Sequence, residues 1–230
     1  MIKRLFDFTL ASLALVTLGP LLIPIALVLR FTGEGEVFYR QTRLGRDARP
    51  FGILKFATML KNSPNMAGGD ISTRDDPRIL PVGRFLRSTK INELPQLINI
   101  VVGDMSIIGP RPFTPGIAAL FDADHSRTVA HLRPGLSGIG SIVFRDEEGL
   151  LAGISDRMAT YKTAIVPYKA ALEGWYASHQ SLGLDLKLIG LTVFAVLRPK
   201  LRADGFFADL PAAPAELVAL RQRAARAFAA

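Results

Sequence analysis

The residues best suited to chemistry are an amide, a carboxylate and several arginines beside glycine- and proline-rich turns. Asn92 and Glu93 begin a predicted helix, where unpaired backbone N–H groups and the helix dipole attract anions. Arg87 lies five residues upstream. Arg111 is fixed between two prolines and Arg133 is presented similarly in RPG, so each offers a permanently charged fork for phosphate or carboxylate.

Acidic residues in the same half of the chain could add a divalent metal. Asp104 and the run Asp146-Glu147-Glu148 supply the oxygen ligands that Mg²⁺ prefers. With the arginines they suit phosphoryl transfer, in which positioning and charge neutralisation do most of the work. Structural interpretations compete, because Asn92 is also a good helix cap and an acidic run is commonly a solvated loop.

The sequence lacks several common catalytic signatures. It has no Walker A loop and no G-x-G-x-x-G, G-x-S-x-G or H-E-x-x-H motif. Its histidines, His125, His131 and His179, are scattered and are interpreted as surface or packing residues. The absence of cysteine excludes disulfides, thiol catalysis and cysteine-ligated zinc.

The composition favours a membrane surface. Apolar residues make up 49% of the 230 residues and the mean hydropathy is +0.28, yet the net charge is +8. A basic and apolar chain suits the anionic face of a membrane. A nucleic-acid partner is not expected, because the basic residues cluster beside the hydrophobic segment and only 8% of residues are aromatic.

That hydrophobic segment, residues 8–29, carries no charge in 22 positions and is long enough to span a bilayer core of roughly 30 Å. Two features instead favour a re-entrant helix that enters the membrane and returns. The pair Gly19-Pro20 near its middle interrupts helix hydrogen bonding. Basic residues, including Arg4 and Arg30, flank both ends, which the positive-inside tendency keeps in the cytoplasm.

The rest of the chain predicts short strands among a majority of helices. The basic segment 36–61 predicts a β-hairpin that turns at Gly45, and its surface is either solvated or faces phosphates. A helix from Glu93 is expected to be capped by Asn92 and to end at Gly103. Further predicted elements are a polar loop at 62–76, a short helix in VGRFLRS, helices at 116–131, 156–180 (interrupted at Pro167), 184–198 and 214–229, and a loop with a strand within 133–148.

The chain is therefore expected to have three parts. These are the re-entrant helix at 1–32, a cytoplasmic and interfacial catalytic domain at 33–200, and an amphipathic tail at 201–230. The apolar stripe of the tail helix suits a membrane surface or a partner.

In this order the segments resemble the bacterial sugar transferases, the small single-domain type of monotopic phosphoglycosyl transferase. The most specific part is ELPQLINIVVGDMSIIGPRP, which carries ELPQL, GDMS and GPRP in succession. The resemblance runs from about Lys3 to Pro199 and includes KRLFDFTLASLALVTLGP, FYRQTRLGR, FGILKFATM, DDPRILPVGRFLR, LRPGLSG and LGLDLKLIGLTVFAVL.

The resemblance implies an α/β, mostly helical fold associated with the membrane, with interfacial amphipathic helices and a re-entrant helix kinked at Gly19-Pro20. It implies transfer of a sugar-1-phosphate from a nucleotide diphosphate sugar, usually a UDP-sugar, to polyprenol phosphate, with Mg²⁺ as cofactor. The products would be a polyprenyl diphosphate sugar, which initiates a surface glycan or exopolysaccharide, and UMP. The expected location is the cytoplasmic face of the bacterial inner membrane, in contact with lipid, and a homodimer is possible.

The family's aspartate-glutamate pair precedes L-P-Q-L, with the aspartate attacking the sugar-linked phosphorus and the glutamate holding the metal. Glu93 matches the glutamate, but Asn92 stands at the aspartate position, and an uncharged amide oxygen is a poor nucleophile. Three explanations are open. Another carboxylate such as Asp146 or Asp104 attacks; the polyprenol phosphate attacks directly; or the chain is catalytically silent and binds the nucleotide sugar or polyprenyl phosphate.

The resemblance also implies contacts to the substrate. Arg87, Arg111 and Lys55 would bind its phosphates, and Arg133 would contact the nucleotide sugar. Ala57 stands where family members usually carry a basic residue, so the anion site beside Lys55 departs from the family pattern.

Overall fold

The computed structural model describes residues 1–66, 76–198 and 203–229, in which helices predominate over two small sheets. The strands are β1 (Phe38–Leu44), β2 (Pro50–Phe56), β3 (Ser106–Ile108) and β4 (Gly135–Ser137). The helices are α1 (Ile2–Phe31), α2 (Pro81–Ser88), α3 (Gln96–Val102), α4 (Pro115–Ala118), α5 (Ala123–Val129), α6 (Ile139–Val143), α7 (Glu147–Leu150), α8 (Arg157–Thr160), α9 (Val166–His179), α10 (Leu182–Leu197) and α11 (Ala215–Ala229). Short 3₁₀ turns occupy Arg46–Ala48, Ser63–Asn65, Ile91–Glu93 and Ala203–Phe206, and a π-helical turn occupies Tyr161–Ile165.

Helix α1 is continuous over 30 residues, which corresponds to about 45 Å at 1.5 Å per residue. The backbone stays helical through Gly19, Pro20 and Pro24, so the break predicted at Gly19-Pro20 does not occur in α1. Proline removes one helix hydrogen bond, but its fixed φ is compatible with helical geometry. By length and composition alone α1 could cross a membrane. Large apolar side chains are exposed along it, among them Leu13, Val16, Leu21, Ile23 and Leu27.

Both ends of α1 pack against the same folded body. Near the N-terminus, the buried carboxylate of Asp7 accepts hydrogen bonds from Ser106 Oγ at 2.7 Å and from the Ile107 backbone N–H at 3.2 Å. Near the C-terminus, Leu29 is also buried and packs with Phe56 of β2. The apolar helix is therefore anchored at two points on one structure.

The predicted β-hairpin is confirmed. Strands β1 and β2 pair antiparallel, from Phe38 opposite Phe56 to Leu44 opposite Pro50. The turn between them contains Asp47 and Ala48, each with a φ of 56°.

The second sheet is a short parallel pair, β3 and β4, which brings the segments around Gly109 and Gly135 together. Ser106 pairs with Gly135, and Ile108 pairs with Ser137. The backbones approach so closely beyond this pair that a Cβ on Gly135 would lie 2.2 Å from the Gly109 nitrogen. Only glycine fits here, because an added methyl group would overlap the neighbouring backbone.

The main hydrophobic core surrounds α9 and also includes residues of α4, α6, α10 and α11. The π-helical turn leads directly into α9, whose second residue is Pro167, so the predicted interruption is confirmed. Proline lacks the N–H needed inside a helix but is tolerated in the first turn. Leu217 and Leu220 of α11 are buried in this core, so the apolar stripe of the tail helix contacts the body itself.

Some sequence-based boundaries were wrong. The helix predicted at 116–131 is divided into α4 and α5, because Thr114 and Asp122 each cap a separate helix with a side-chain oxygen. In 133–148 the strand is limited to β4, and helices α6 and α7 follow it. Residues 67–75 of the predicted polar loop lie outside the described residues.

Candidate active site

A cavity of about 1040 Å³ opens between the β-hairpin, the turn Ile91–Glu93 and helices α6, α9 and α10. This volume is large enough for a nucleotide-sized ligand. Basic side chains that line it include Arg43, Lys55, Arg87, Lys90, Arg111, Arg145 and Lys169. Apolar residues of α10 that line it are Ile189, Val193, Ala195 and Val196. The cavity therefore offers both a cationic surface and an apolar one.

Glu93 is the carboxylate that the cationic residues surround. Its Oε1 lies 3.4 Å from Arg111 Nη2 and 3.6 Å from Lys55 Nζ. Lys55 comes from β2, and Arg111 follows β3, so three separate segments of the chain meet at this point. The structure thus brings together three of the predicted site residues.

These contacts fix the charge of Glu93. Burial by itself would raise the pKa of the Glu93 carboxyl, but the positive charges of Lys55, Arg111 and Lys90 outweigh it and hold that pKa well below its usual range. Burial lowers the pKa of Lys55 to about 7, against the opposing effect of Glu93. Glu93 is therefore ionised at neutral pH, whereas Lys55 is close to its titration midpoint.

Asn92 lies beside Glu93 in the turn, and its predicted role as a helix cap is wrong. Helix α3 begins only at Gln96, and Asn92 makes no capping hydrogen bond. Its side chain is buried, and its Oδ1 has no hydrogen-bond partner among the residues that the structure describes. Leaving such an atom unpaired costs about 1–3 kcal/mol, a cost that a bound ligand or ion at the cavity wall would offset.

Two further ion pairs belong to the cavity. Arg87 donates a hydrogen bond to the carboxylate of Glu148. The buried ammonium of Lys169 donates to Glu147 and, at 3.0 Å, to Tyr161 Oη. The acidic run predicted near a metal therefore contributes two glutamates that already have cationic partners.

Other predicted site residues lie elsewhere. The Asp146 carboxylate packs against Gly149, where an added Cβ would lie 2.4 Å from its Oδ2. Asp104 accepts a hydrogen bond from Asn99 Nδ2 at 3.2 Å, and Arg133 Nε donates to the Gly103 carbonyl at 2.9 Å. None of these three acidic or basic residues lines the cavity.

Sequence reasoning left several charged lining residues unassigned, among them Arg43, Lys90, Lys169 and Glu173. Arg43 lies in the basic hairpin and Lys90 just before Asn92, so adjacency was the available signal. Lys169 and Glu173 are four apart in a largely apolar helix, and this spacing places them on one helix face. Two charged residues at that spacing in a largely apolar helix can indicate that one face of the helix lines a polar cavity.

The chain offers few metal ligands of its own. Within residues 1–66, 76–198 and 203–229, no three histidine, aspartate or glutamate side chains meet in a metal-binding group. Glu93 and the unpaired Oδ1 of Asn92 are oxygen ligands of the kind Mg²⁺ takes. They fit an ion that obtains its other ligands from substrate phosphates and water.

Comparisons with known proteins agree with this arrangement. The chain is 32% identical to the exopolysaccharide production protein PSS of Rhizobium leguminosarum bv. phaseoli, covering 89% of this chain and 98% of that protein. It is 35% identical to a UDP-glucose:undecaprenyl-phosphate glucose-1-phosphate transferase of Caulobacter vibrioides, covering 85% and 69%. The similarly named Klebsiella pneumoniae protein is 33% identical over 84% of this chain, which spans only 39% of that longer relative. The sequence model of bacterial sugar transferases matches residues 1–199, and the chain belongs to this family.

Proposed function

We propose that this protein transfers a sugar-1-phosphate from a UDP-sugar to polyprenol phosphate at the cytoplasmic face of the inner membrane, initiating an exopolysaccharide. The observation that carries the proposal is the ionised Glu93 held between Lys55 and Arg111 in a cavity that α10 lines with apolar residues. A diphosphate and a lipid phosphate both need such cations, and a polyprenyl chain needs an apolar path. UDP-glucose is the first donor to test, because several relatives are named for it.

Arg87, Arg111 and Lys55 would bind the phosphates of the donor. Arg111 presents its guanidinium at the cavity while its neighbours Pro110 and Pro112 restrict the backbone. Positive charge fixed in place before the reaction stabilises the charge that develops on the transferred phosphoryl group. The partner carboxylate of each cation limits how strongly the ground-state substrate is held.

The position of Asn92 favours direct attack by the acceptor. Asp146 and Asp104, the substitute nucleophiles predicted from sequence, lie outside the cavity lining, while Glu147 and Glu148 are paired with cations. In direct transfer an oxygen of polyprenol phosphate bonds to the sugar-linked phosphorus, and the bond from that phosphorus to the UMP oxygen breaks. UMP leaves with that electron pair, and the product is polyprenyl diphosphate sugar.

We further propose that Mg²⁺ is required, with Glu93 and Asn92 Oδ1 as its ligands from the chain. When bound, it would neutralise charge on the diphosphate. Because Lys55 and Arg111 already surround Glu93, the ion would enter together with the anionic donor. The two side chains would then orient the donor's phosphates towards the arginines.

For α1 we propose a re-entrant position with both ends on the cytoplasmic side. Asp7 and Leu29 are buried by elements of one folded body, and a helix crossing the bilayer would separate them. The exposed apolar side chains between these anchors would contact lipid.

A silent binding protein is the competing function. The transferase and the binding function are distinguished by measuring UMP release from purified protein in lipid nanodiscs with UDP-glucose, Mg²⁺ and undecaprenyl phosphate. We expect release that requires the acceptor. Release no faster than that of a Glu93→Gln variant would overturn the enzymatic proposal, and a stoichiometric burst without acceptor would overturn direct transfer.

A further inference from the structure

The backbone N–H of Arg111 is hydrogen-bonded to a buried carboxylate from a distant part of the sequence. In the segment Pro110-Arg111-Pro112 only Arg111 has a backbone N–H, because proline has none. That N–H donates to Oε1 of Glu173 on α9 at 3.1 Å. Glu173 is 3% exposed, so a carboxylate has been withdrawn from water to accept this one amide.

His125 of α5 lies behind this carboxylate. Its Nε2 is 3.2 Å from the second oxygen of Glu173, at ion-pair distance although not aligned as a hydrogen bond. The His125 ring stacks on Phe121 at 4.7 Å, and Phe121 packs on Phe113 at 4.6 Å. Phe113, which follows Pro112, is thereby connected through Phe121 to His125 of α5.

Hydrogen bonds also hold the carbonyls of the two flanking prolines. The Pro110 carbonyl accepts from the Gly135 N–H at 2.8 Å, and the Pro112 carbonyl accepts from Arg43 Nη1 at 3.2 Å. The Arg111 amide is the one backbone N–H donor of the segment, and a charged acceptor bonds it more strongly than a neutral one. Burying a carboxylate for this purpose is costly, which argues for a role beyond filling space.

We propose that Glu173, supported by His125, is a positioning residue for Arg111: it sets where the guanidinium lies relative to Glu93 and the donor diphosphate. The proposal rests on the proposed function for its kinetic consequence, and on geometry for the contact itself. A displacement of about 1 Å in a group that stabilises the transition state can lower the rate about 100-fold.

A double-mutant cycle on turnover separates positioning from general stability. We expect Glu173→Ala to lower kcat by about 10- to 100-fold and to have little further effect in an Arg111→Ala background, because the two act through one group. Glu173→Gln, which retains an oxygen acceptor, should recover much of the loss. Trp175→Phe is the control, since it removes a hydrogen bond from the same helix to Asp209, and its effect should be equal in both backgrounds. Equal effects of Glu173→Ala in both backgrounds would overturn the proposal.

Amide hydrogen exchange of peptides covering 109–113 tests the contact without turnover. Glu173→Ala should speed exchange of the Arg111 amide by about 10- to 100-fold, whereas Trp175→Phe should leave it unchanged. Unchanged exchange in Glu173→Ala would also overturn the proposal. Absence of UMP release from the wild-type protein would instead contradict the proposed function. The exchange result would still decide whether Glu173 holds Arg111.

Discussion

Lys55 Nζ lies 3.6 Å from Glu93 Oε1, and both side chains are mostly withdrawn from solvent, with 16% and 14% exposed. The two groups of this pair differ in how their pKa values are shifted. Nearby cations hold the pKa of the Glu93 carboxyl low, while burial and neighbouring arginines bring the pKa of Lys55 to about 7. The charge of the phosphate-binding surface therefore changes near neutral pH through Lys55 and not through Glu93.

Diphosphate binding should weaken as pH rises through about 7. Deprotonation of Lys55 removes one positive charge from the cavity, so affinity for UDP, measured by calorimetry without divalent cations, should fall by up to about tenfold per pH unit. A Lys55→Arg variant stays charged and should lose this decline, and comparison with it cancels the ionisation of UDP. The same pH profile in both proteins would contradict the assignment.

Glu93→Gln should separate turnover from binding. Removal of the carboxylate should lower kcat/KM at least about 100-fold, because Lys55 and Arg111 lose their shared ion-pair partner. UDP affinity without metal should stay equal or rise, since a negative charge has gone. Glu36→Gln changes another glutamate of the same cavity, one paired with exposed Lys61, and should alter neither quantity more than about twofold. Equal losses in the two variants would argue against a special role for Glu93.

Asn92→Asp should change the reaction route. A carboxylate at this buried position supplies a nucleophile toward phosphorus, so UMP should be released without acceptor, up to about one equivalent per protein. Asn92→Ala lacks a carboxylate and should show no such burst. The measurement is a rapid-quench time course of UMP with acceptor omitted. Continued strict acceptor dependence in Asn92→Asp would mean that position 92 does not face the reacting phosphorus.

Both ends of α1 should be accessible from the cytoplasm only. The chain has no cysteine, so single Ile2→Cys and Phe31→Cys substitutions at exposed positions give unambiguous labelling sites. A membrane-impermeant maleimide should label both in inverted vesicles and neither in intact spheroplasts. Labelling of one site from each side would show a spanning helix instead.

Gly135→Ala should disrupt the parallel pair that precedes Arg111. The new methyl group would lie 2.2 Å from the Gly109 nitrogen, and we expect a loss of about 3 kcal/mol or more of stability and loss of turnover. Gly190→Ala on α10 meets nothing within 4 Å and should keep wild-type stability. Thermal unfolding in nanodiscs compares them. A similar midpoint for both variants would show that the β3–β4 contact can relax.

Local patterns were sufficient for several elements and residues. Strand-like runs on either side of a glycine turn predicted the hairpin, and Gly103, with a φ of 103°, ends α3 as predicted. Glu93 and Arg111 were identified because helix starts and proline-bounded arginines have recognisable chemistry. These features depend on residues that are neighbours in sequence, so their physics can be evaluated without the fold.

Contacts between distant segments were decided only by the tertiary structure. Lys55 meets Glu93 because β2 packs beside the turn before α3, and Glu173 reaches the Arg111 amide because α9 contacts the segment around the end of β3. Asparagine commonly caps helices, but Asn92 lies in the separate turn Ile91–Glu93, and α3 begins only at Gln96. The Oδ1 of Asn92 is unpaired within the part of the chain that the structure describes. The sequence by itself determined which groups could carry charge; burial and proximity, which depend on how the elements pack, decided which of them share one cavity.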